Sequence, residues 1–275
     1  MSEHRMPEEV IRHYRDEFDE DQRLAHGLGE LELLRTREIV CRHLPDGPLR
    51  VLDVGGATGV HAAWLAEDGH RVHVLDPVAT QVARVVESPG ARAGRITAEV
   101  GDARRLPFEE ASFDAVLLLG PLYHLTEREE RLTALAEARR VVRPGGPVFA
   151  AAISRFASLF DGLARGLLFE PGFEDIVERD LRDGQHRNPT GHPRWFTTAY
   201  FHHPDELEEE LRTSGLHVRE VLGVEGLAGW LEHLADRWAD QAAREAILRS
   251  ARVVEADACL RGLSAHLLGV AARPA

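Results

Sequence analysis

Short apolar runs alternate with amphipathic segments through the middle of this 275-residue chain. The apolar runs have the length of buried strands and lie near residues 50–54, 71–75, 95–100, 113–119 and 147–153. Between them, apolar residues spaced three and four positions apart predict helices near 59–67, 78–87 and 126–142. This alternation predicts an α/β fold in which a parallel sheet carries helices on both faces.

The two ends of the chain are less regular. Residues 8–43 predict two helices. Residues 155–203 contain helical stretches followed by a loop rich in Pro, Gly, His and aromatic residues, which is typical of functional or mobile loops. The remaining residues predict a helix at 204–214 and strands at 217–224 and 264–271, with further helices between the strands.

A chain of this length can bury one large core, and we expect a single domain. Its expected parts are an N-terminal helical lid (1–47), a ligand-binding core (48–154), a cap insertion (155–203) and a C-terminal part of the sheet (204–275) with a helical insertion at 227–262. We expect the lid and the cap to form a mobile cover, which opens for ligand exchange and closes to exclude water.

All 33 basic residues are Arg, since the sequence contains no Lys. This excludes a lysine Schiff base, a P-loop lysine and a lysine general base. The formal net charge of -13 disfavours nucleic acid and anionic membranes as partners, so a small-molecule substrate fits better. No apolar run has membrane-spanning length, and the charged residues 1–20 do not resemble a signal peptide, so we expect a cytoplasmic location.

The two cysteines, Cys41 and Cys259, stand far apart, with no CxxC motif and no His at metal-ligand spacing. Neither a disulfide framework nor a zinc site is indicated, and we expect both side chains in the core. No acidic metal-binding cluster is recognisable in the sequence either, so we expect no metal.

A glycine-rich turn follows the first predicted strand directly and leads into a helix. Gly55, Gly56 and Gly59 allow a tight turn and a close approach of the backbone to a ligand, and a helix N-terminus behind such a turn favours a nucleotide-like group. This segment does not match the dinucleotide-binding fingerprint G-x-G-x-x-G. Counted from Gly55, its third and sixth positions are Ala57 and Val60, and the register from Gly56 fails as well.

Two carboxylates stand at the ends of the next predicted strands. Asp76 follows the first glycine by about twenty residues, where nucleotide folds place an acid that binds ribose hydroxyls. Asp102 follows the third strand in Gly101-Asp102-Ala103. Because parallel strands end at one edge of a sheet, these groups predict a nucleoside site there.

The segment Asp53–Gly59 resembles motif I of the class I S-adenosylmethionine (SAM) dependent methyltransferases, in the group called methyltransferase type 11 or ubiquinone-biosynthesis-like. Four later segments resemble, in order, the family's ribose motif, adenine motif, fourth strand and helix-to-strand turn: Val74–Asp76, Gly101–Phe108, Ser112–Val116 and Val142–Gly146. The resemblance is dense over residues 48–154. It implies a Rossmann-like, seven-stranded and mostly parallel sheet, SAM as methyl donor, S-adenosylhomocysteine as product and a small-molecule acceptor.

The same resemblance implies a set of cofactor-binding residues. They are Asp53, Gly55, Gly56, Ala57, Gly59, Asp76, Pro77, Asp102, Ala103, Leu119, Gly120 and, on an N-terminal helix beside His13, Tyr14. Arg35 shares a helix face with Glu32 and Thr36 and is a candidate for the cofactor carboxylate. The alternative is a solvated face with a Glu-Arg pair.

Tyr123 and His124 follow the fourth strand, where the family binds both the methionine end of the cofactor and the acceptor. His124 is a candidate general base, and the alternative is simple packing of both rings. Trp195, Tyr200 and His202 are expected to wall the acceptor pocket, although some of these residues must belong to the core. Gly120–Tyr123 lacks the Asn/Asp-Pro-Pro-Tyr/Phe motif of nucleobase N-methyltransferases, which disfavours nucleic-acid bases as acceptors.

Three alternatives to methyl transfer remain open from the sequence. The chain can use SAM for other chemistry, act as a non-catalytic SAM sensor, or be a nicotinamide-dependent oxidoreductase, which the failed fingerprint makes improbable.

We expect the chain to bind SAM and S-adenosylhomocysteine but no nicotinamide dinucleotide, because the glycine spacing and two carboxylates suit a single adenosine. Titration calorimetry with each ligand measures this directly. Binding of NAD without a SAM signal would contradict the assignment.

Overall fold

Nine strands are present in the computed structural model, which describes residues 8–12, 20–24, 26–192, 194–231 and 234–275. They are β1 (Arg50–Val54), β2 (Arg71–Asp76), β3 (Ile96–Val100), β4 (Ala115–Leu118), β5 (Pro147–Ser154), β6 (Gln185–His186), β7 (Ala199–His202), β8 (His217–Gly223) and β9 (His266–Ala272). Seven of the strands have the order β3-β2-β1-β4-β5-β9-β8, in which β9 runs antiparallel to both β5 and β8 and the other pairs are parallel. The expected Rossmann-like α/β fold with a mostly parallel sheet is therefore confirmed, but the sheet has nine strands rather than the expected seven, because β7 pairs with β5 and β6 pairs with β7.

Thirteen α-helices accompany the strands in the described part of the chain. They are α1 (Glu8–Arg12), α2 (Glu20–Leu24), α3 (Leu28–His43), α4 (Val60–Glu67), α5 (Ala79–Val86), α6 (Pro89–Arg92), α7 (Pro121–His124), α8 (Arg128–Val141), α9 (Ala157–Arg165), α10 (Phe173–Asp183), α11 (Pro204–Thr213), α12 (Leu234–Ala239) and α13 (Gln241–Val254). Three described helices, rather than the two expected, thus precede β1. Among the described helices, none combines the length and apolar character that crossing a membrane requires.

Both faces of the sheet are buried by packed helices. Alternate residues of each central strand point to opposite faces, so each strand contributes to both sides of the core. In β4, Leu118 packs in a cluster with residues of α8 and α11, whereas Leu117 packs in a cluster with residues of α3 and α4. All four residues of this strand are buried. The continuous apolar runs in the sequence therefore mark strands at the centre of the sheet.

The hairpin of β6 and β7 is not expected from the sequence, which predicts a loop at residues 185–196 and no strand between residues 155 and 203. The two strands pair antiparallel, and β7 adds to β5 through Ile153 opposite Phe201 and Ser154 opposite His202. β6 is only two residues long and β7 only four. Strands this short are too brief for a residue alternation to reveal them in the sequence.

A buried ion pair joins α8 to α11. Arg131 and Glu210 are 1% and 3% exposed, and Arg131 Nη2 lies 2.7 Å from Glu210 Oε1. Arg131 also donates to the carbonyl oxygen of Leu125, directly after α7, and its guanidinium carbon lies 3.7 Å from the centroid of the Tyr200 ring. Burial opposes charge on Glu210, but hydrogen bonds from His202 and Arg131 lower the pKa of its carboxyl to about 2.

Arg35 is fully buried and ties α3 to the segment after α13. It donates to the carbonyl oxygen of Val224 at 3.2 Å and to Glu38 at 2.7 Å, and it pairs with Glu255. The expectation that Arg35 binds a cofactor carboxylate is wrong, because its hydrogen bonds are directed into the protein. The solvated-face alternative is also wrong.

Both cysteines are exposed, so the expectation that they lie in the core is wrong. Cys41 lies on the exposed side of α3, and Cys259 lies in the turn that follows α13. Cysteine has a small side chain that is usually buried, but its position on an element, and not its residue type, decided its exposure here.

The substitution Glu210→Gln should destabilise the protein by about 3–5 kcal/mol at pH 7, because the buried Arg131 loses its charged partner. The native carboxyl has a pKa of about 2 against 4.5 for an ordinary Glu, so its contribution is complete above pH 4.5 and disappears as the pH falls towards 2. Urea unfolding at several pH values measures the difference between parent and variant.

Glu209→Gln is the matched control for this experiment. Glu209 is exposed and pairs with Arg128 at 3.0 Å, so its loss should matter little at any pH. The assigned role of the buried pair would be contradicted if Glu210→Gln did not lower the free energy of unfolding at pH 7. It would also be contradicted if the loss were equal at pH 7 and pH 3.

Candidate functional site

The glycine-rich turn after β1 is held between the ends of β2 and β4. Gly55 donates its N–H to the carbonyl oxygen of Leu75 at 2.7 Å and has a φ of 69°, which favours glycine. A Cβ at Gly55 would lie 2.8 Å from the Pro121 ring, and one at Gly56 would lie 2.6 Å from a carboxylate oxygen of Asp53. Glycine is therefore required at both positions by close packing against neighbouring loops.

A cleft of about 1040 Å³ opens at this edge of the sheet. Most residues expected at the cofactor and at the methyl-transfer centre line it: Gly55, Gly56, Ala57, Asp76, Pro77, Asp102, Ala103, Leu119, Gly120, Tyr123 and His124. Asp53 and Gly59 do not line the cleft. Tyr14 and His13 lie outside the described residues.

Asp76 ends β2 inside the cleft and is 5% exposed. Its Oδ2 accepts the backbone N–H of Ala57 at 2.9 Å, and its Oδ1 accepts that of Val78 at 2.8 Å. Ala57 has a φ of 46°, which is unusual for a residue with a Cβ, and the hydrogen bond from its N–H to Asp76 supports that conformation. Each carboxylate oxygen keeps a second lone pair for a ligand hydroxyl. Burial raises the pKa of Asp76 to about 6.

Asp53 and Gly59 support the glycine-rich turn from behind. Asp53 is fully buried beneath Gly56, and neither of its carboxylate oxygens has a hydrogen-bond partner among the described residues. Burial, together with the nearby charge of Asp76, raises the pKa of Asp53 to about 7. Gly59 has a φ of 83° and begins α4. These two residues shape the loop, whereas Asp76 presents its carboxylate to the cleft.

Asp102 lies across the cleft from the glycine-rich turn and is held by Arg104. The Arg104 backbone N–H and Nε both donate to Asp102 Oδ1, at 2.8 and 2.9 Å. Burial opposes charge on Asp102, but the bonds from Arg104 lower the pKa of its carboxyl. Asp102 is therefore a fixed, charged acceptor.

Tyr123 and His124 lie on the short helix α7 and line the cleft. Their rings pack edge to face at 4.6 Å between centroids. His124 Nδ1 lies 3.4 Å from the carbonyl oxygen of Thr198, next to β7. A carbonyl only accepts, so this contact favours the tautomer with a proton on Nδ1 and makes Nε2 the basic nitrogen.

A second cavity of about 960 Å³ adjoins the cleft, and Arg23 and Tyr123 line both. Six aromatic residues line this second cavity: Tyr123, Phe173, Trp195, Phe196, Phe201 and Trp230. Its polar lining includes Ser158, Asp161, His186, Arg194 and His266. Of the three residues expected to wall an acceptor pocket, Trp195 alone lies here.

Tyr200 and His202 line neither space. Tyr200 packs against the guanidinium of Arg131, and His202 Nε2 lies 3.2 Å from Glu210 Oε2. Both residues hold β7 to α8 and α11. Alternation along β7 turns their neighbour Phe201 towards the second cavity instead.

Ion pairs between α2, α3 and β9 lie where the two spaces meet. Arg23 pairs with Glu32, and His266 Nδ1 lies 3.6 Å from Glu32 and also pairs with Glu225. Burial opposes charge on His266, but Glu32 and Glu225 raise its pKa to about 9. In the described residues, Glu32, Glu225 and His266 bring possible metal-binding atoms within 4.8 Å of one another, but a protonated imidazole offers a metal no lone pair.

Several lining residues were not anticipated from the sequence. Arg23, Ser158, His186, Trp230 and His266 come from separate elements and carry no motif or spacing that connects them. Only a general signal was available, namely the density of aromatic and His residues in the segment after β5.

Comparisons with known proteins agree with this geometry. A family model described as "Methyltransferase domain" matches residues 51–146. O-methyltransferase rstn1 of Aspergillus nomiae is 31% identical in an alignment that covers 54% of this chain and 74% of that protein. Demethylmenaquinone methyltransferase of Deinococcus radiodurans is 30% identical, with 70% of this chain and 78% of that protein covered. The chain belongs to the class I SAM-dependent methyltransferases.

A solved structure with the same fold, that of the [4+2]-cyclase SpnF, carries a different name. It is 21% identical, the match covers 87% of this chain and 81% of that chain, and the TM-score is 0.55. The fold alone therefore does not decide the reaction. The names of the two sequence relatives favour methyl transfer over the alternatives considered above.

The affinity for SAM should fall as the pH drops through about 6. Protonation of Asp76, whose pKa is about 6, removes a charged hydrogen-bond acceptor, and its carboxylate form predominates only above that pH. Calorimetry between pH 5 and pH 8 measures the dissociation constant.

Asp76→Asn should weaken SAM binding at pH 7.5 by roughly 2–4 kcal/mol and abolish this pH dependence. Asp102→Asn is the control. The pKa of the native Asp102 carboxyl is lowered, so removing this carboxyl should leave the pH dependence of SAM affinity near pH 6 intact. If the SAM affinity of the parent protein is constant between pH 5 and pH 8, Asp76 does not belong to the binding site.

Proposed function

We propose that this protein transfers a methyl group from SAM to a hydroxyl group of a small aromatic molecule. The observation that carries the proposal is the meeting of two spaces at Tyr123 and Arg23. One is a cleft with carboxylates suited to a nucleoside, and the other is a cavity with aromatic walls.

The donor would occupy the cleft. Asp76 would accept the ribose hydroxyls, Asp102 with Ala103 would border the adenine, and the turn at Gly55 and Gly56 would border the methionine part. SAM supplies a methyl group on a positively charged sulfur. Arg23 and Arg104 line this cleft, whereas Arg35 does not.

The acceptor would occupy the second cavity. Aromatic walls at Tyr123, Phe196 and Trp195 suit a flat, apolar ring system, which they bind by stacking and burial of apolar surface. The names of the relatives, O-methyltransferase and demethylmenaquinone methyltransferase, are consistent with such acceptors.

The protein's main contribution is to position the acceptor oxygen in line with the methyl group and to keep water out. Holding two reactants about 3 Å apart in the right orientation can lower a barrier by roughly 7–11 kcal/mol. α2, α9 and α10 would act as the cover that excludes water. His124, with Nδ1 directed at the Thr198 carbonyl, would use Nε2 to take the hydroxyl proton.

The direct test is release of S-adenosylhomocysteine on incubation with SAM and a panel of phenols, naphthols and naphthalenediols. Matched arenes in which every hydroxyl is replaced by a methoxy group serve as controls. Release with any hydroxylated member and none with its ether supports the proposal. SAM binding without release on the whole panel would contradict it.

His124→Ala should lower the rate of methyl transfer by roughly 10²- to 10⁴-fold with SAM affinity unchanged, if the imidazole takes the proton. Single-turnover kinetics and calorimetry measure the two quantities. The loss should be smallest at high pH, where the acceptor ionises without a base.

His217→Ala is the matched control, because His217 is an exposed residue at the start of β8, outside both spaces. It should leave the rate unchanged. A loss of only a few-fold in His124→Ala would assign His124 a packing role instead.

A further inference from the structure

A buried polar cluster lies in the aromatic wall of the second cavity. It consists of Ser158 on α9, Asp180 on α10 and His186 on β6, which are 6%, 0% and 2% exposed. Ser158 and His186 line the cavity, and Asp180 lies behind them. The proposed methyl transfer beside Tyr123 does not use these groups.

The hydrogen bonds within this cluster have defined directions. Ser158 Oγ donates to Asp180 Oδ2 at 2.6 Å, and His186 Nδ1 lies 2.8 Å from the same oxygen. His186 Nε2 lies 3.2 Å from the carbonyl oxygen of Phe196. Both ring nitrogens of His186 are thus directed at oxygen atoms of neighbouring residues, one at the Asp180 carboxyl and one at the Phe196 carbonyl.

His186 is fixed in this position. Its ring stacks on Phe201 at 4.7 Å between centroids, with 10° between the planes. Because both its nitrogens are occupied and its face is covered, His186 has little capacity left for a ligand. Its place in the cluster is to fix the Asp180 carboxyl next to Ser158.

The Ser158 hydroxyl can therefore accept a hydrogen bond from a group in the cavity but cannot donate one to it. Its single hydroxyl proton is directed to Asp180, so the lone pairs of Oγ remain for a ligand. The cluster also has more acceptors than donors, because Asp180 Oδ1 is buried without a hydrogen-bond partner among the described residues. A group that donates a hydrogen bond fits this wall, and a group that only accepts is repelled.

We propose that Ser158, oriented by Asp180 and His186, anchors a second hydroxyl or N–H group of the acceptor, distinct from the atom that is methylated. This inference rests on the proposed function in treating the second cavity as the acceptor site. The acceptor class becomes an aromatic molecule with two polar positions, one near Tyr123 and one at Ser158. A methoxy or carbonyl group at the second position leaves Ser158 unsatisfied and is rejected.

Binding to the protein saturated with S-adenosylhomocysteine tests the anchor without requiring turnover. The probes are isomeric naphthalenediols and the monomethyl ether of each diol, titrated by calorimetry. We expect at least one diol to bind about tenfold more tightly than its ether, which is the effect of one hydrogen bond between neutral hydroxyl groups. Ser158→Ala should abolish this preference.

Two variants serve as controls for Ser158→Ala. Ser154→Ala removes another buried hydroxyl, bonded to the Gly262 carbonyl outside the cavity, and should keep the preference. Asp161→Asn changes a carboxylate that lines the cavity itself and is paired with Arg165 at 3.0 Å; loss of the preference in this variant, with Ser158→Ala keeping it, would assign the anchor to Asp161 and overturn the inference.

The inference is overturned if no diol binds, if the parent protein binds diols and ethers equally, or if the preference survives Ser158→Ala. Failure of the proposed function gives a different result. A diol that binds with a Ser158-dependent preference, but releases no S-adenosylhomocysteine in the presence of SAM, contradicts methyl transfer and leaves the anchor standing. If monohydroxy and dihydroxy arenes bind equally tightly and both are methylated, the result supports methyl transfer and contradicts the anchor.

Discussion

The site depends on one geometric constraint, the close contact between the loops that follow β1 and β4. Both strands end at the same edge of the sheet, and the ring of Pro121 leaves room for glycine but not for a side chain at position 55. The backbone then turns so that the N–H of Ala57 reaches Asp76 at the end of β2. Three strand ends thereby fix the glycine-rich turn and the cleft carboxylate relative to each other.

The same contact positions α7 beside the cleft, where a second group of buried interactions holds it. Arg131 binds the carbonyl oxygen of Leu125 just after this helix and is itself fixed by Glu210 and the ring of Tyr200. Burying such an ion pair costs desolvation energy and requires nearly complete hydrogen bonding. Its structural consequence here is a rigid wall behind Tyr123 and His124.

The choice of reaction depends on the second cavity more than on the sheet. A fold shared with a [4+2]-cyclase shows that this fold is compatible with more than one chemistry. In this chain, residues from α2, α9, β7 and β9 line the adjoining space with aromatic side chains and a few fixed polar groups. In the proposed function, these residues would select the molecule that lies next to Tyr123.

The sequence by itself determined the sheet, the glycine-rich turn and the carboxylate at Asp76, because each follows from local rules. Apolar runs mark central strands, glycine permits the turn, and an acid at the end of the second strand lies beside it. Arg35, Tyr200 and His202 have the residue types of binding groups, yet they face buried partners. Ser158 carried no signal, and His186 carried only the general signal of a His-rich segment, although both line the cavity. Only the tertiary structure decided these positions, because side-chain direction and partners depend on contacts between elements distant in the chain.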